Sequence, residues 1–292
     1  MQRSAVIGFA ALALSAAFET QAAERTAPMP SGGALRVIEQ GPRNDKPPVV
    51  LIAGWGMSAE VWREQTARLA KSRRVIAFDP RGQGRSSGAD GVVTPERRAA
   101  DLQALLAGEA GRVVLVGWSQ GVQDIAAYVQ DHGTEKVAGV VLVDAPVAAG
   151  AAGVTKDPQG AAQQLRLLSI YAQAPQAYAR GMVETIVTQP AARTAHGPAM
   201  VADILRIPTD AGVAMLVADL LGADRTGALA RIDRPTLVIA AAGSPELQDQ
   251  RDMAAAIPHA RLEIIAQAGH AVFIDQPERF AAALARFLDG LG

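Results

Sequence analysis

The sequence predicts an α/β fold: a mostly parallel central sheet flanked by helices and carrying a helical cap insertion. Three observations carry this. Continuous apolar runs recur along the chain without the alternation of a half-exposed strand, as strands covered on both faces require. Segments with amphipathic helical spacing separate those runs, so strands and helices alternate. Between Pro146 and Ile232 the rhythm stops, and only Ala-, Gln-, Leu- and Met-rich helical segments remain.

The elements follow in order. Arg3 gives a short positive region, Ala5 to Phe18 an apolar stretch, and Thr20-Gln21-Ala22-Ala23 a small-residue cleavage zone, so residues 1–23 read as a signal peptide. The apolar stretch is short for a membrane span, which implies a periplasmic or secreted protein with no stable span after cleavage. Residues 24–34 read as a linker, Pro/Gly-rich from Ala27 to Gly33. Strands are expected at Leu35 to Glu39, Val49 to Ala53, Arg74 to Phe78, Val113 to Val116, Val137 to Val143, Thr236 to Ala241 and Arg261 to Ile265. Helices are expected at Ala59 to Ala70, Pro95 to Leu106, Val122 to Asp131, Gln248 to Ala256 and Pro277 to Leu288. Residues 35–145 and 233–292 would form the core, and residues 146–232 the cap. Pro158, Pro175, Pro190, Pro198 and Pro208 divide its helices, since a connection so long needs structure of its own.

Composition narrows the function. The 292 residues carry a net charge of −1 with no long basic run, which gives no support for a nucleic-acid partner. With no cysteine, thiol catalysis, thiolate metal sites and iron–sulfur clusters are excluded. Neither H-E-x-x-H nor a Walker A loop occurs, so no metal or organic cofactor is implied. Aromatic residues make up only 4%, so a pocket must be walled mostly by Leu, Val, Met and Ala.

The stretch Gly117-Trp118-Ser119-Gln120-Gly121 carries the chemistry. It follows the run Arg112 to Val116 and precedes a helical segment, the strand–turn–helix setting of a nucleophile elbow. Its small residues permit a sharp turn, and Ser119 lands at a helix N-terminus, where developing negative charge is favoured.

Further motifs point the same way. These are Val49 to Gly56 followed by Glu60-Val61-Trp62; the D-x-R-G-x-G-x-S turn Asp79 to Ser86; Pro235 to Ala240; and Gly269-His270 followed by Gln276-Pro277-Glu278. Together they resemble the α/β-hydrolase superfamily over residues 35–292, and most closely its small bacterial serine carboxylesterases. The resemblance implies Ser119 as nucleophile, His270 as general base, and an oxyanion hole formed by the backbone N–H groups of Trp55 and Gln120. His132, His196 and His259 read as solvated. Trp55 and Trp118 read equally as walls of an acyl pocket or as core aromatics. Asp79, Arg81 and Ser86 read as structural; Met182, Met200 and Met215 read as helix packing ahead of the alternative, the lining of a substrate entrance.

One departure concerns the acid. Ser244 stands where the family places Asp, and Ala53 replaces a common His. Asp144, ending the neighbouring strand, is the favoured substitute. Glu246 or Asp249 reaching back, or a Ser119–His270 dyad with a neutral partner, are the alternatives. The expected activity is that of an exported serine hydrolase on a small-molecule acyl substrate. The same fold also hosts perhydrolases, lyases, thioesterases and carbon–carbon hydrolases, and the lost Asp and His leave room for a binding protein without turnover.

Overall fold

A computed structural model describes residues 22–87, 91 and 93–291. Except for Ala22 and Ala23, the signal segment read at residues 1–23 lies outside the described residues. Eight strands build one sheet: β1 (Ala23–Pro28), β2 (Ala34–Gln40), β3 (Val49–Ile52), β4 (Val75–Phe78), β5 (Val113–Trp118), β6 (Val137–Val143), β7 (Thr236–Ala241) and β8 (Ala260–Ile265). Their order is β1-β2-β4-β3-β5-β6-β7-β8. β2 runs antiparallel to both β1 and β4, and every pairing from β4 to β8 is parallel.

Two cores explain the unalternating runs. Val49, Leu51, Val114 and Val116 face one of them, while Val50, Ile52, Val113 and Leu115 face the other. A strand buried on both faces has no polar side to write into its sequence. On the first face lie α1 (Arg63–Leu69), entered through a 3-10 turn at Ala59–Trp62, and α11 (Pro277–Asp289). The second face carries α2 (Pro95–Ala107), α3 (Gln120–His132) and α9 (Leu247–Ala256).

Between β6 and β7 the chain forms α4 (Gly150–Lys156), α5 (Pro158–Gln173), α6 (Pro175–Ile186), α7 (Pro190–Ile204) and α8 (Thr209–Leu221), with no strand among them. Tyr171, Val183, Met200, Ile204 and Met215 anchor this cap by joining the first core. Burying such a side chain contributes roughly 1.5–3 kcal/mol, which docks the cap without any strand pairing. Met200 and Met215 are thus packing residues. Pro158, Pro175 and Pro190 do delimit helices, each within the first turn where the missing N–H costs nothing. Pro198 does not divide helices; it sits inside α7.

The linker read at residues 24–34 is corrected. Most of it is β1 and the tight turn that pairs it with β2, Ala23 opposite Glu39 through Pro28 opposite Ala34. Of the six residues in β1 only Ala27 is buried, so the strand has no apolar pattern to reveal it. Backbone pairing and the 2.6 Å Arg25–Glu39 ion pair hold this edge instead. Among the described residues no helix is long and apolar enough to cross a membrane.

Candidate active site

β5 enters α3 through Ser119, whose backbone sits at φ 56° and ψ −115°. A non-glycine residue there costs of order 1–3 kcal/mol and persists only where its surroundings enforce it. Two close approaches do so. A Cβ on Gly117 would lie 2.4 Å from the Gly121 carbonyl oxygen, and one on Gly121 would lie 2.7 Å from the Ile52 carbonyl oxygen. Neither neighbour can yield, because both are backbone. The Ser119 N–H is tied to Val143 O at 3.1 Å. Its half-exposed hydroxyl makes no hydrogen bond among the described residues.

The loop after β3 lies against this serine, since a Cβ on Gly54 would stand 3.1 Å from Ser119 Cβ. The Trp55 and Gln120 N–H groups have no hydrogen-bond partner among the described residues. Gly56, at φ 78°, turns the loop, and its N–H is held by Gln83 Oε1. The Trp55 side chain leaves the loop for the cap. It donates to Gly212 O at 3.2 Å and meets Tyr171 and Tyr178 edge-on, at 5.2 and 6.1 Å between ring centroids.

His270 follows β8 at the same sheet edge. Its Nδ1 lies 2.9 Å from Asp144 Oδ2. The side chain of Asp144 is 1% exposed, whereas that of His270 is 26% exposed. Asp144 Oδ1 accepts the Ala241 N–H at 2.8 Å and Gln250 Nε2 at 3.2 Å, so the end of β7 and α9 hold the carboxylate. Gln250 Nε2 also donates to Ser244 Oγ at 3.0 Å, so the serine at the expected acid position supports the brace of the carboxylate rather than supplying one.

The other two carboxylates are placed differently. Asp249 is at the surface in a 2.9 Å ion pair with Lys156 of α4. Glu246 makes no hydrogen bond to the ring; burial pushes its carboxyl up, while the nearby His270 charge pulls it down. His270 therefore has a carboxylate partner, and it is Asp144.

Trp118 braces the His270 loop: its Nε1 donates to His270 O at 2.9 Å, and its ring packs edge-on against Phe273 at 5.1 Å. The loop is also latched to the cap. Asp275, at the end of the short α10 (Val272–Asp275), accepts the Gly269, Thr188 and Gln189 N–H groups at 2.7 to 3.0 Å. Asp79 serves as structure, accepting the Ala59 and Arg85 N–H groups at 2.7 Å each, and Arg81 pairs with buried Asp101 at 2.5 Å. His132 ends α3 beside Tyr128, and His196 pairs with Glu64 at 3.3 Å.

Two open clefts, of about 220 Å³ beside Arg36 and about 380 Å³ beside Arg74, lie at the antiparallel side of the sheet and include none of the predicted site residues. Sequence reasoning missed Gln83, Asp219, Gln250 and Asp275, whose roles depend on partners distant in the chain. Only Gln83 carried a signal, through its place in the Asp79 to Ser86 motif.

The sequence profile of the Alpha/beta hydrolase family matches residues 49–283. The chain belongs to that family. Among the chain's relatives is the polyketide synthase ThaQ of Burkholderia thailandensis, 32% identical over 275 residues, which cover 88% of this chain and 12% of that protein. A putative non-heme chloroperoxidase of Synechocystis is 33% identical over 120 residues, 40% of this chain and 43% of the other. The chain thus spans less than half the length of either. The pimeloyl-[acyl-carrier protein] methyl ester esterase of Edwardsiella ictaluri is 28% identical over 261 residues, covering 83% of this chain and 93% of that one. Among solved structures, a thermophilic esterase from Thermogutta terrifontis superposes with a TM-score of 0.75 at 26% identity, over 93% of this chain and 99% of that one. The chain therefore has the α/β-hydrolase fold, with esterases among its relatives and its structural neighbours.

Proposed function

We propose that the chain is an exported serine hydrolase that opens an ester or related acyl bond through a Ser119 acyl-enzyme. The observation that carries this reading is the 2.9 Å contact of His270 Nδ1 with Asp144 Oδ2. It commits Nδ1 to a carboxylate and leaves Nε2 of the ring to take the serine proton.

Ser119 Oγ attacks the substrate carbonyl as His270 takes its proton. The tetrahedral oxyanion collects the Trp55 and Gln120 N–H groups, each contributing on the order of 3 kcal/mol. Collapse expels the alcohol, protonated by His270, and water repeats the sequence to release the acid. Asp144 stabilises the imidazolium formed at each stage. The serine–imidazole hydrogen bond forms when substrate fills the site, as such contacts are commonly long or unmade without it.

The two esterases among the relatives support an ester as the scissile group. The chloroperoxidase relative favours a second reading, in which hydrogen peroxide replaces water and the acyl-enzyme leaves as a peracid. Export rests on Arg3, the Ala5 to Phe18 stretch and the Ala22-Ala23 cleavage zone.

A fluorophosphonate probe and a panel of p-nitrophenyl esters, with and without peroxide and halide, test the chemistry. Stoichiometric labelling and ester turnover, both lost in Ser119→Ala, are the expected result. A folded chain that neither labels nor turns over is a binding protein instead. Expressed from its full gene in a bacterium, the protein is expected outside the cytoplasm with Glu24 as its first residue. An intact chain retained in the cytoplasm overturns the export reading.

A further inference from the structure

A buried polar relay runs from the oxyanion loop into the cap. The Gly56 N–H donates to Gln83 Oε1, and Gln83 Nε2 donates to Gln120 Oε1 at 2.8 Å. Gln120 Nε2 then donates to Asp219 Oδ2 at 2.5 Å, across 99 residues of sequence. Asp219 lies on α8, and its Oδ1 accepts Arg98 Nη2 at 2.5 Å. Arg98 Nε in turn donates to Asp124 Oδ1 at 2.8 Å. Gln83, Gln120, Asp219, Arg98 and Asp124 are all buried, so water cannot substitute for a lost link.

The relay has a direction. An ionised carboxylate only accepts hydrogen bonds, so Asp219 draws the NH₂ end of the Gln120 amide toward itself. The Gln120 carbonyl must then face Gln83, which turns the NH₂ end of Gln83 inward and its carbonyl toward Gly56. At that end the requirement is specific. Trp55 and Gly56 are the central residues of a turn closed by the Met57 N–H on Gly54 O at 3.2 Å. With Gly56 at φ 78°, the peptide between them takes one of its two opposed orientations, and an acceptor on the Gly56 N–H holds it there. One side chain, that of Gln120, therefore connects its own residue's N–H and the peptide that follows the Trp55 N–H to one carboxylate.

We propose that Asp219 is a positioning residue for catalysis, setting through Gln120 and Gln83 the orientation of the Trp55–Gly56 turn that forms the oxyanion hole. The proposal rests on the reading of Ser119 as a nucleophile whose oxyanion those amides receive.

The test moves the carboxylate from one end of the relay to the other. In Asp219→Asn, Arg98 claims the new carbonyl oxygen, and the new NH₂ group faces Gln120. Both glutamine amides must reverse, and the Gly56 N–H then meets a donor. Ester kcat is expected to fall roughly tenfold or more, with KM within about twofold, because the loss is felt by the oxyanion rather than the bound ester. Adding Gln83→Glu supplies an acceptor at both contacts of the reversed chain. The double variant is expected to recover kcat to within about threefold of the parent. Packing alone predicts no such rescue.

Wild-type kcat in Asp219→Asn overturns the proposal, as does a double variant no faster than Asp219→Asn. If Asp219→Asn does not fold, Gln83→Leu cuts the last link without touching the Arg98 ion pairs. A kcat fall at constant KM supports the proposal there, and wild-type kcat overturns it. Labelling of the parent at Ser119 separates the two failures. A parent that labels and turns over while its variants match it refutes the relay alone; a parent that does neither refutes the hydrolase reading and the relay with it.

Discussion

In the proposed mechanism the base and the oxyanion hole are held by opposite kinds of support. On the base side the imidazole meets its carboxylate directly, and Asp144 is fixed by the Ala241 N–H and Gln250, from the end of β7 and from α9. On the oxyanion side two amides intervene before a carboxylate is reached, and that carboxylate belongs to cap helix α8. The His270 loop also touches the cap, through Asp275, but Asp144 does not depend on it. The difference teaches where each function is vulnerable. Displacing the cap leaves the charge that orients the base in place, while it removes the group that sets the direction of the oxyanion relay.

The largest effect that can break this comparison comes from Asp144. Asp144→Asn keeps the shape and the Oδ1 acceptor for Ala241, yet it removes the charge that stabilises the imidazolium and invites the wrong imidazole tautomer. Ester kcat is expected to fall by about 10⁴ with the melting temperature little changed, and steady-state assays with thermal unfolding check both. A folded Asp144→Asn enzyme with parental kcat would leave the base side without any carboxylate dependence.

The same contrast decides what was legible in the sequence. Ser119, His270 and Asp144 each sit at the C-terminal end of a strand or just beyond it, and strand ends are written in apolar runs. Register then brings neighbouring ends together: Trp118 pairs with Val143, and Val143 with Ile239, so the residues that follow share one edge. The choice among Asp144, Glu246 and Asp249 was legible only as a preference for Asp144, because the rest depends on where α9 directs its side chains. Asp249 points to Lys156, and Gln250, one residue later, points to Asp144. Asp219 was illegible for a stronger reason. An acidic residue on a helix reads as solvated surface, and only the packing of α8 over Arg98 and Gln120 buries it. The strand β1 escaped because backbone pairing along an exposed edge leaves no pattern in side-chain type.

A smaller effect sharpens the base side. Gln250 donates to both Asp144 and Ser244, while its own Oε1 is buried without a partner. Such an orphan acceptor costs about 1–3 kcal/mol, so Gln250→Leu removes a brace and a penalty together. Asp144 retains the Ala241 N–H. The expected result is a several-fold loss of kcat with stability unchanged or raised, read by kinetics and urea unfolding on the same preparation. Equal losses in both would make Gln250 a structural residue and nothing more.

The smallest effect lies beyond the end of the oxyanion relay and appears only as a slope. Arg98 is one cation between two buried carboxylates, those of Asp124 and Asp219, so the cluster carries an excess negative charge when both are ionised. Burial pushes the Asp124 carboxyl up to about 7, with Arg98 opposing the shift and Asp219 adding to it. Unfolded, the same carboxyl titrates near 3.9. Between those values the folded chain binds the extra proton, so stability falls as pH rises across that interval. Below about 4 both states hold the proton, and the contribution of this group is fully present; above about 7 it is lost. Asp124→Asn cannot titrate, whereas Asp101 and Glu246, also raised by burial, remain common to both proteins. Urea unfolding at pH 4.5, 6 and 7.5 should therefore give a steeper decline for the parent than for the variant. Parallel declines would mean that Arg98 neutralises both carboxylates throughout, and that the relay ends in a cluster without the strain its charge count implies.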